Sequence, residues 1–306
     1  MAFLVNLPTD LLRTFVAVVE LGGHSKAGAV LGRSQPAISL QIRRLEEIVR
    51  APLLRQEGRG IHPTTEGEAL LAYAREILRI NDEAVCHFYR SNIAGVLRIG
   101  LPTDYAVAFL QNTLTTFLRN NPDVDLEIRC DLSRELHRLF RGDELDIIVA
   151  TMPGERMPYL SRAWVEQPLW AAAEGFTLPP DRAVPLGAHL EGCDYRARMI
   201  GALDATSRRW RIVYTSPGIS GLQNAVLNGI CVTALTRATM LPGMRELTEA
   251  EGFPKLEPLR IGLFYKHPRL SAAGVKLVSE LVAGLESVSS GVHLWHPEGL
   301  RTDNRR

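Results

Sequence analysis

Apolar residues recur at helical spacing in three neighbouring segments near the start of the chain. The first two segments are Asp10–Leu21 and Ser25–Leu31, and the second of them stops at Gly32. The third segment is Ser34–Glu47. Its apolar face consists of Ile38, Ile42 and Leu45 and continues to Val49, so the apolar residues are spaced by four, three and four positions. Two helices joined by a short turn with glycine are typical of a helix-turn-helix unit, whose second helix enters the major groove of DNA.

The side of the third segment opposite its apolar face is polar and basic. Ser34 suits the N-cap, and Pro36 is tolerated in the first turn, where its missing N–H has no helical partner. Glutamine can pair with adenine, serine can donate or accept a hydrogen bond, and arginine can bind guanine or phosphate. We therefore predict a DNA-binding surface along this helix, made of Arg33, Ser34, Gln35, Pro36, Ser39, Arg43 and Arg44.

A short hairpin and a long helix are predicted next. Segment 51–63 holds two extended pieces around glycines, which is typical of a wing. A helix then runs from Thr64 to about Arg90, with two apolar seams that repeat every seven residues: Leu71, Leu78 and Val85, and Leu70, Ile77 and Ala84. Such seams are typical of a helix pair between two subunits. An amphipathic helix packed on its own domain has the same pattern.

After a linker at 91–95, the pattern changes to short strands that alternate with helices. Strands at 96–101, 124–130 and 145–151 enclose helices at Tyr105–Asn120 and Ser133–Arg141, which predicts a parallel sheet. A second α/β unit begins near Gln167, with strands at 168–174, 184–190, 210–215, 230–236 and 259–266. We expect the chain to cross between the units near Trp164–Gln167 and near Tyr265–Pro268. A final helix, Ser271–Val288, is expected to pack back on the first unit.

Four short motifs near the start of the chain carry a family resemblance. SQPAIS with a following Q, LEE, PLL and TTEG lie in a run that extends from Leu7 to about Asn92. This run resembles the N-terminal domain of LysR-type transcriptional regulators, and the rest of the chain resembles the effector-binding domain of that family more loosely. The resemblance implies a sequence-specific DNA-binding regulator that responds to a small-molecule effector and assembles as a homodimer or homotetramer.

The same resemblance assigns roles in the wing. Family members carry a wing arginine that reaches the minor groove, and Arg59 occupies the matching position. A second arginine common in the family is replaced here by Gln56, and the neighbouring Arg55 is the candidate for its phosphate contact. Arg55 and Arg59 complete the predicted DNA-binding set.

The expected fold class is α/β, with three parts. Residues 1–64 form a winged helix-turn-helix domain, 65–92 a linker helix for dimerisation, and 93–306 a two-lobed effector-binding domain that resembles type 2 periplasmic binding proteins. Lobe I is expected to span about 95–164 and 267–290, and lobe II about 165–266. The tail, 291–306, is polar and lacks periodicity.

Effector contacts are expected where strands of the two lobes end. In open α/β sheets, ligands bind outside the carboxyl ends of the strands, and the resemblance implies a cleft between the lobes. The predicted set is Pro102, Thr103, Asp104, Ser133, Thr151, Thr215 and Ser216. Each hydroxyl can instead be a helix cap only. A carboxylate at Asp104 would disfavour an anionic effector and favour a hydroxyl or amine.

Charge and composition limit the possible partners. The net charge is +1, but residues 24–63 hold seven Lys or Arg against three Glu, which favours a polyanionic partner for this part. No apolar run reaches the roughly 18–20 residues of a membrane span, and the N-terminus lacks a signal-peptide pattern. The four cysteines lie far apart, which fits reduced thiols. We expect a cytoplasmic protein without a membrane partner.

Two other functional classes are weighed against a regulator. A solute receptor shares the two-lobed plan but has no need for the N-terminal DNA-reading unit. An enzyme is disfavoured because the sequence has no nucleophile elbow, P-loop, HExxH or GxGxxG motif. We therefore predict no catalytic residues, no metal site and no cofactor. The expected partners are double-stranded operator DNA, a small-molecule effector, further copies of the chain and RNA polymerase.

Overall fold

The computed structural model describes residues 5–57, 60–88, 95–109, 113–154, 157–179, 181–266 and 270–288. Its N-terminal unit begins with three helices, at the positions that the apolar spacing predicted: α1 (Thr9–Leu21), α2 (His24–Leu31) and α3 (Gln35–Val49). Gly22 and Gly32 follow α1 and α2 with φ of 68° and 64°. This left-handed conformation favours glycine and lets the chain turn between the helices.

A hairpin and a long helix complete the N-terminal unit: β1 (Leu54–Glu57), β2 (Gly60–Pro63) and α4 (Thr65–Phe88). β1 and β2 pair antiparallel, as expected for the wing. The predicted end of the helix at Arg90 and the linker at 91–94 lie outside the described residues. So does Arg59.

The TTEG motif fixes where α4 meets the wing. Thr64 caps the helix, because its Oγ1 accepts the Gly67 N–H at 3.0 Å and donates to the Pro52 carbonyl at 2.7 Å. A Cβ on Gly67 would lie 2.0 Å from the Leu53 carbonyl oxygen. The helix can therefore pack this closely on the wing only with glycine at that position.

Most of the apolar residues in the predicted seams of α4 pack against other residues of the same chain. Leu78 is fully buried in a core that it shares with α1 and α3. Three further seam residues pack against this core: Leu70, Leu71 and Ile77. Leu78 therefore does not face a second subunit, and Leu70, Leu71 and Ile77 are partly covered by their own chain, because α4 lies along α1. Val85, at the end of one seam, is exposed.

The remaining elements form two α/β units. In chain order they are β3 (Gly95–Leu101), α5 (Thr103–Phe109), α6 (Thr115–Asn120), β4 (Val124–Cys130), α7 (Ser133–Arg141), β5 (Ile147–Thr151), β6 (Leu160–Glu166), β7 (Leu169–Ala173), β8 (Val184–Ala188), α8 (Asp194–Ala205), β9 (Trp210–Thr215), α9 (Ile219–Leu227), β10 (Thr233–Leu235), β11 (Met244–Leu247), β12 (Leu259–Tyr265) and α10 (Ala272–Val288). α5 and α6 lie in the region of the helix predicted at Tyr105–Asn120, and residues 110–112 between them lie outside the described residues.

The first α/β unit is a five-stranded sheet with the strand order β4-β3-β5-β12-β6. β3 is parallel to β4 and to β5, as the short strand–helix connections predicted. α10 packs on this unit as expected, because Val278, Leu281, Val282 and Leu285 are buried in the core that contains β3. The same helix also contacts α4.

The position of β12 corrects the prediction. The sequence assigned 259–266 to lobe II and a crossing to Tyr265–Pro268, whereas β12 lies antiparallel between β5 and β6 in the first sheet. The chain therefore returns to the first unit before β12, in the segment after β11. The physical reason is β6, which the sequence treated as a connection. Because β6 is a strand, it provides the edge on which β12 pairs.

The second α/β unit consists of two small sheets. β7 pairs antiparallel with β10 and β11, and β8 pairs parallel with β9. A bridge between Leu186 and Val232 joins the two sheets. β11 was not predicted. Among the described residues, the structure contains no helix long and apolar enough to cross a membrane.

Candidate functional site

α3 presents the predicted DNA-binding residues on one side of the N-terminal unit. Ser34 is its N-cap, and the Ser34 Oγ accepts the Ala37 N–H at 3.4 Å. Six residues of the predicted set are exposed: Arg33, Ser34, Gln35, Pro36, Arg43 and Arg44. Ser39 is half-buried. The structure thus leaves the polar face of α3 free of contacts that would bury it within the chain.

The buried side of α3 is held by apolar packing and by one polar contact. Ile38, Ile42 and Leu45 are buried against the other helices. The Gln41 side chain accepts a hydrogen bond from Thr14 Oγ1 at 2.7 Å and donates to Asp10 Oδ2 at 3.3 Å. Gln41 therefore ties α3 to α1 and is not part of the exposed face.

Leu40 is a residue that the sequence analysis missed. It is 66% exposed in the middle of the polar face, one helical turn from Pro36 and from Arg43. An apolar side chain in this position can contact a thymine methyl group in the major groove. Its helical position was visible in the sequence, but the sequence analysis assigned Leu40 to neither face.

The wing presents an exposed arginine, Arg55, on β1. The Arg55 side chain is exposed and forms an ion pair with Glu57 at 3.3 Å. Such an exposed pair contributes little to stability, so it offers little resistance to a phosphate that competes for the guanidinium. The Ile61 N–H donates to the Gly22 carbonyl at 3.4 Å and fixes the wing against the end of α1.

A buried ion pair connects the DNA-reading unit to the first α/β sheet. Arg75 of α4 donates to Glu20 Oε1 of α1 at 3.1 and 3.3 Å, and to the Leu160 carbonyl of β6 at 2.6 Å. Tyr159 Oη donates to the Glu20 carbonyl at 3.0 Å. Burial raises the pKa of Glu20 to about 7, against the opposing effect of the Arg75 charge. α1, α4 and β6 therefore meet in one polar junction.

A cavity of about 140 Å³ lies between the two α/β units. Five residues of the predicted effector set line it: Pro102, Thr103, Asp104, Ser133 and Thr151. The second unit contributes residues that the sequence analysis did not select, including His189, Asp194, Tyr195 and Pro217. Thr215 and Ser216 are not among the lining residues. The Ser216 Oγ instead donates to the Gly218 carbonyl and accepts the Gly218 N–H within its own turn, ahead of α9.

Two of the lining hydroxyls have hydrogen-bond partners within the protein. Ser133 Oγ accepts the Thr151 N–H at 3.0 Å, which joins α7 to the end of β5. Thr151 Oγ1 donates to Asp194 Oδ2 across the boundary between the units. Ser133 and Thr151 thus have structural partners as well as a place in the cavity wall.

Buried ionisable groups lie beside this cavity. Burial raises the pKa of Asp104, and burial together with the charges of Asp104 and Glu166 raises the pKa of Tyr195 well above its usual value. Burial also raises the pKa of Glu166 to about 7, while a hydrogen bond from Tyr105 opposes the shift. Burial lowers the pKa of His189, so its imidazole is neutral at pH 7.

The cysteine side chains that the structure describes are free thiols. Cys231 is fully buried, and burial raises its pKa to about 11. Cys130 and Cys193 line the cavity, and burial raises the pKa of both. Thiols with raised pKa values are weak nucleophiles at neutral pH. Within the described ranges, no group of three or more His, Cys, Asp or Glu side chains is placed to hold a metal ion.

Comparisons with known proteins match both parts of the chain. Residues 9–68 match a family model described as "Bacterial regulatory helix-turn-helix protein, lysR family", and residues 90–285 match "LysR substrate binding domain". The chain is 32% identical over 256 residues to the HTH-type transcriptional regulator PecT of Dickeya dadantii, covering 84% of this chain and 81% of that one. It is 33% identical over 274 residues to the HTH-type transcriptional regulator DgdR of Burkholderia cepacia, with coverage of 86% and 89%.

The fold is also similar to a solved structure. CrgA, a LysR-type transcriptional regulator from Neisseria meningitidis, superposes with a TM-score of 0.53 at 18% identity, over 93% of this chain and 100% of that chain.

Proposed function

This chain belongs to the LysR family of transcriptional regulators, and we propose that its α3 surface reads operator DNA under the control of a small molecule bound between the two α/β units. It is a DNA-binding regulator with an effector-binding domain. The observation that supports the finer proposal is the exposed polar face of α3, with no described part of the chain covering it.

Each residue of this face has a proposed role. Gln35 and Ser39 read base edges in the major groove, because they lie at the start of the recognition helix. Arg43 and Arg44 bind phosphate or a base edge, and Arg55 binds phosphate from the wing. Arg33, Ser34 and Pro36 shape the start of the helix near the DNA backbone. Arg59 is proposed for the minor groove from its sequence position alone.

The proposal predicts opposite effects for two substitutions on α3. Gln35→Ala removes a base contact and should relax sequence preference, with a cost of about 1–3 kcal/mol on the preferred site and little on others. Arg44→Ala removes a phosphate contact and should weaken binding about equally on all sequences. Titration of both variants on an operator and on scrambled DNA measures the difference. The reverse pattern would contradict the role assignments.

We propose a separate role for each of three segments of the chain. Residues 1–64 bind DNA, 65–92 form the dimerisation helix and 93–306 bind the effector at the cavity lined by Pro102, Thr103, Asp104, Ser133 and Thr151. Closure of the two α/β units around the ligand changes the position of β6, which contacts α1 and α4 through the Arg75 junction. Effector binding is thereby coupled to the placement of the DNA-reading helix.

We also propose a homodimer built on α4, and a homotetramer built from two such dimers. α4 carries an exposed stripe that its own chain leaves uncovered: Tyr73, Ile80 and Ala84. Tyr73 and Ile80 are seven residues apart, which is the repeat of paired helices. This stripe replaces the seams that the sequence suggested.

The remaining parts of the proposal follow from DNA binding. The relatives of the chain are regulators, and we propose no catalytic activity for it. A regulator of this kind acts where promoter DNA and RNA polymerase are found, so we propose the cytoplasm as its compartment and RNA polymerase as a partner.

A further inference from the structure

The walls of the cavity between the α/β units are acidic. Three carboxyl groups line it, those of Asp104, Asp131 and Asp194, and the described lining residues include no lysine or arginine. The other polar groups of the wall are hydroxyls, thiols and the imidazole of His189. No lining residue carries a basic side chain that offsets these carboxyl groups, while the Arg134 guanidinium lies against Gly192 of the wall.

Two of the three carboxylates have partners within the protein. Asp131 forms an ion pair with Arg129 at 3.2 Å. Asp194 accepts a hydrogen bond from Thr151 Oγ1 and has Arg198 at 3.8 Å. These groups are therefore satisfied without a ligand.

Asp104 differs from them. It is only 8% exposed, and it has no ion pair with lysine or arginine in the described part of the chain. Its carboxyl receives backbone N–H groups at the start of α5, and His189 is its nearest basic neighbour. His189 is neutral at pH 7, so it does not offset the charge. A buried carboxylate without a cation is unfavourable, which leaves a strong preference for a positive ligand group.

A second polar group in the wall, the Tyr195 hydroxyl, has capacity for a further hydrogen bond. The Tyr195 hydroxyl is buried and makes no hydrogen bond of normal geometry with any described residue, although it lies close to Asp104. The Tyr195 side chain belongs to α8 and lines the same cavity. Buried hydroxyls are normally hydrogen-bonded, so one that can form a further hydrogen bond at a cavity wall indicates a place for a ligand atom.

The volume limits the size of such a ligand. The cavity measures about 140 Å³. A cavity of about 150 Å³ in another protein holds benzene, and sites for drug-sized ligands measure roughly 300–1,000 Å³. The ligand is therefore a small molecule of a few heavy atoms, or the head of a larger one that extends into solvent.

We propose that this cavity binds a small protonated amine, whose ammonium group pairs with the Asp104 carboxylate and donates a hydrogen bond to the Tyr195 hydroxyl. This inference rests on the proposed function, in which the occupant of the cavity is the effector. An anion would be repelled by Asp104, the lining carboxylate without a described arginine or lysine partner. A neutral alcohol would satisfy the Tyr195 hydroxyl but would leave the Asp104 charge without compensation.

The test compares three probes of equal length on the full chain at pH 7.5: 1-butylamine, which is protonated there, 1-butanol and butyrate. Binding is followed by the change in tryptophan fluorescence, which reports on Trp164, Trp170 and Trp210 of the α/β units. The amine is expected to bind at least tenfold more tightly than either other probe. Equal affinities, tighter binding of butyrate, or no detectable binding of the amine would overturn the proposal.

Variants locate the site. Asp104→Asn should weaken amine binding at least tenfold, and Tyr195→Phe about fivefold, whereas the exposed Asp125→Asn on β4 should change it less than twofold. If Asp104→Asn does not fold, Tyr195→Phe decides the question alone. Unchanged amine binding in the folded variants at positions 104 and 195 would overturn the proposal.

Promoter binding by the same preparation separates this inference from the proposed function. A protein that prefers the amine but shows no preference for any promoter fragment would contradict the proposed function and leave the ligand class standing. A protein that binds a promoter specifically but shows no preference for the amine would contradict only the ligand class.

Discussion

Gly67 and Asp104 illustrate, at the scale of the residue, how local geometry sets a role that composition does not show. Gly67 lies in the first turn of α4, where glycine normally lowers helix stability by about 1 kcal/mol relative to alanine. Here it is required, because a Cβ would lie 2.0 Å from the Leu53 backbone oxygen and 3.2 Å from the Pro63 Cβ. The contact fixes the two ends of the wing, at Leu53 and Pro63, against the first turn of α4.

The first prediction concerns this contact. Gly67→Ala should destabilise the N-terminal unit by about 1–3 kcal/mol, because backbone atoms must move to admit the methyl group. Gly201→Ala is the matched control: it lies in the interior of α8 with no heavy atom within 4 Å of the added Cβ. The control should be neutral or stabilised by up to about 1 kcal/mol.

Hydrogen–deuterium exchange resolved along the chain measures both variants. We expect faster exchange in β1, β2 and the first turns of α4 for Gly67→Ala, and unchanged or slower exchange in α8 for Gly201→Ala. Protection of the wing equal to that of the wild type in Gly67→Ala would contradict the packing described here.

The sequence predicted some residues of the sites well and others not at all. Gln35, Arg43 and Arg44 follow from helical periodicity, since their own neighbours along the chain determine which face they occupy. His189 and Tyr195 were missed because they reach the cavity from the second α/β unit. No local pattern indicates which loop of a distant unit will face Asp104.

At the scale of the element, α4 packs against two other helices, α1 and α10. Its buried side packs on α1, while α10 packs along another part of it. The apolar residues that recur every seven positions were correctly predicted to be helical. Their partner was not, because heptad spacing has the same form whether the facing helix belongs to the same chain or to a second one.

The exposed stripe of α4 gives the second prediction. Ile80→Glu should dissociate the dimer, because it places a charge where Tyr73 and Ile80 are proposed to meet the partner helix. Val85→Glu is the control: Val85 is also exposed, by 46% against 52% for Ile80, but it lies about 140° around the helix. Sedimentation velocity at micromolar concentration should show a monomer for Ile80→Glu and an unchanged assembly for Val85→Glu.

Two other results would count against the proposed stripe. An unchanged assembly in Ile80→Glu would remove it from the interface. Dissociation by Val85→Glu would restore the seam that heptad spacing first indicated.

At the scale of the whole molecule, the two α/β units and the DNA-reading unit are linked by few polar contacts in well-defined places. Thr151 and Asp194 join the α/β units beside the cavity, and Arg75 joins α1, α4 and β6. A ligand that changes the separation of the units therefore acts on both contacts. We propose that the path from cavity to recognition helix runs through β6, which contacts α4 through Arg75 and through the Arg162–Glu76 ion pair.

The overall plan of the molecule was predictable, and its one topological error has a clear cause. The alternation of strands and helices identified both α/β units, and a family resemblance supplied their arrangement. β12 was assigned to the wrong unit because β6 was not recognised as a strand. Its partner in the sheet lies more than ninety residues away in the chain, and strand pairing over such a distance leaves no local signal.

The central claim is that the face of α3 reads DNA, and the most direct test is the binding of full-length wild-type protein to promoter fragments, including those beside its own gene. Fluorescence anisotropy between about 50 and 200 mM salt gives both specificity and salt dependence. We predict a preferred fragment, bound at least about 10³-fold more tightly than non-specific DNA, with affinity that falls linearly with salt on a logarithmic scale. Equal binding to all fragments, or binding that does not change with salt, would contradict the account.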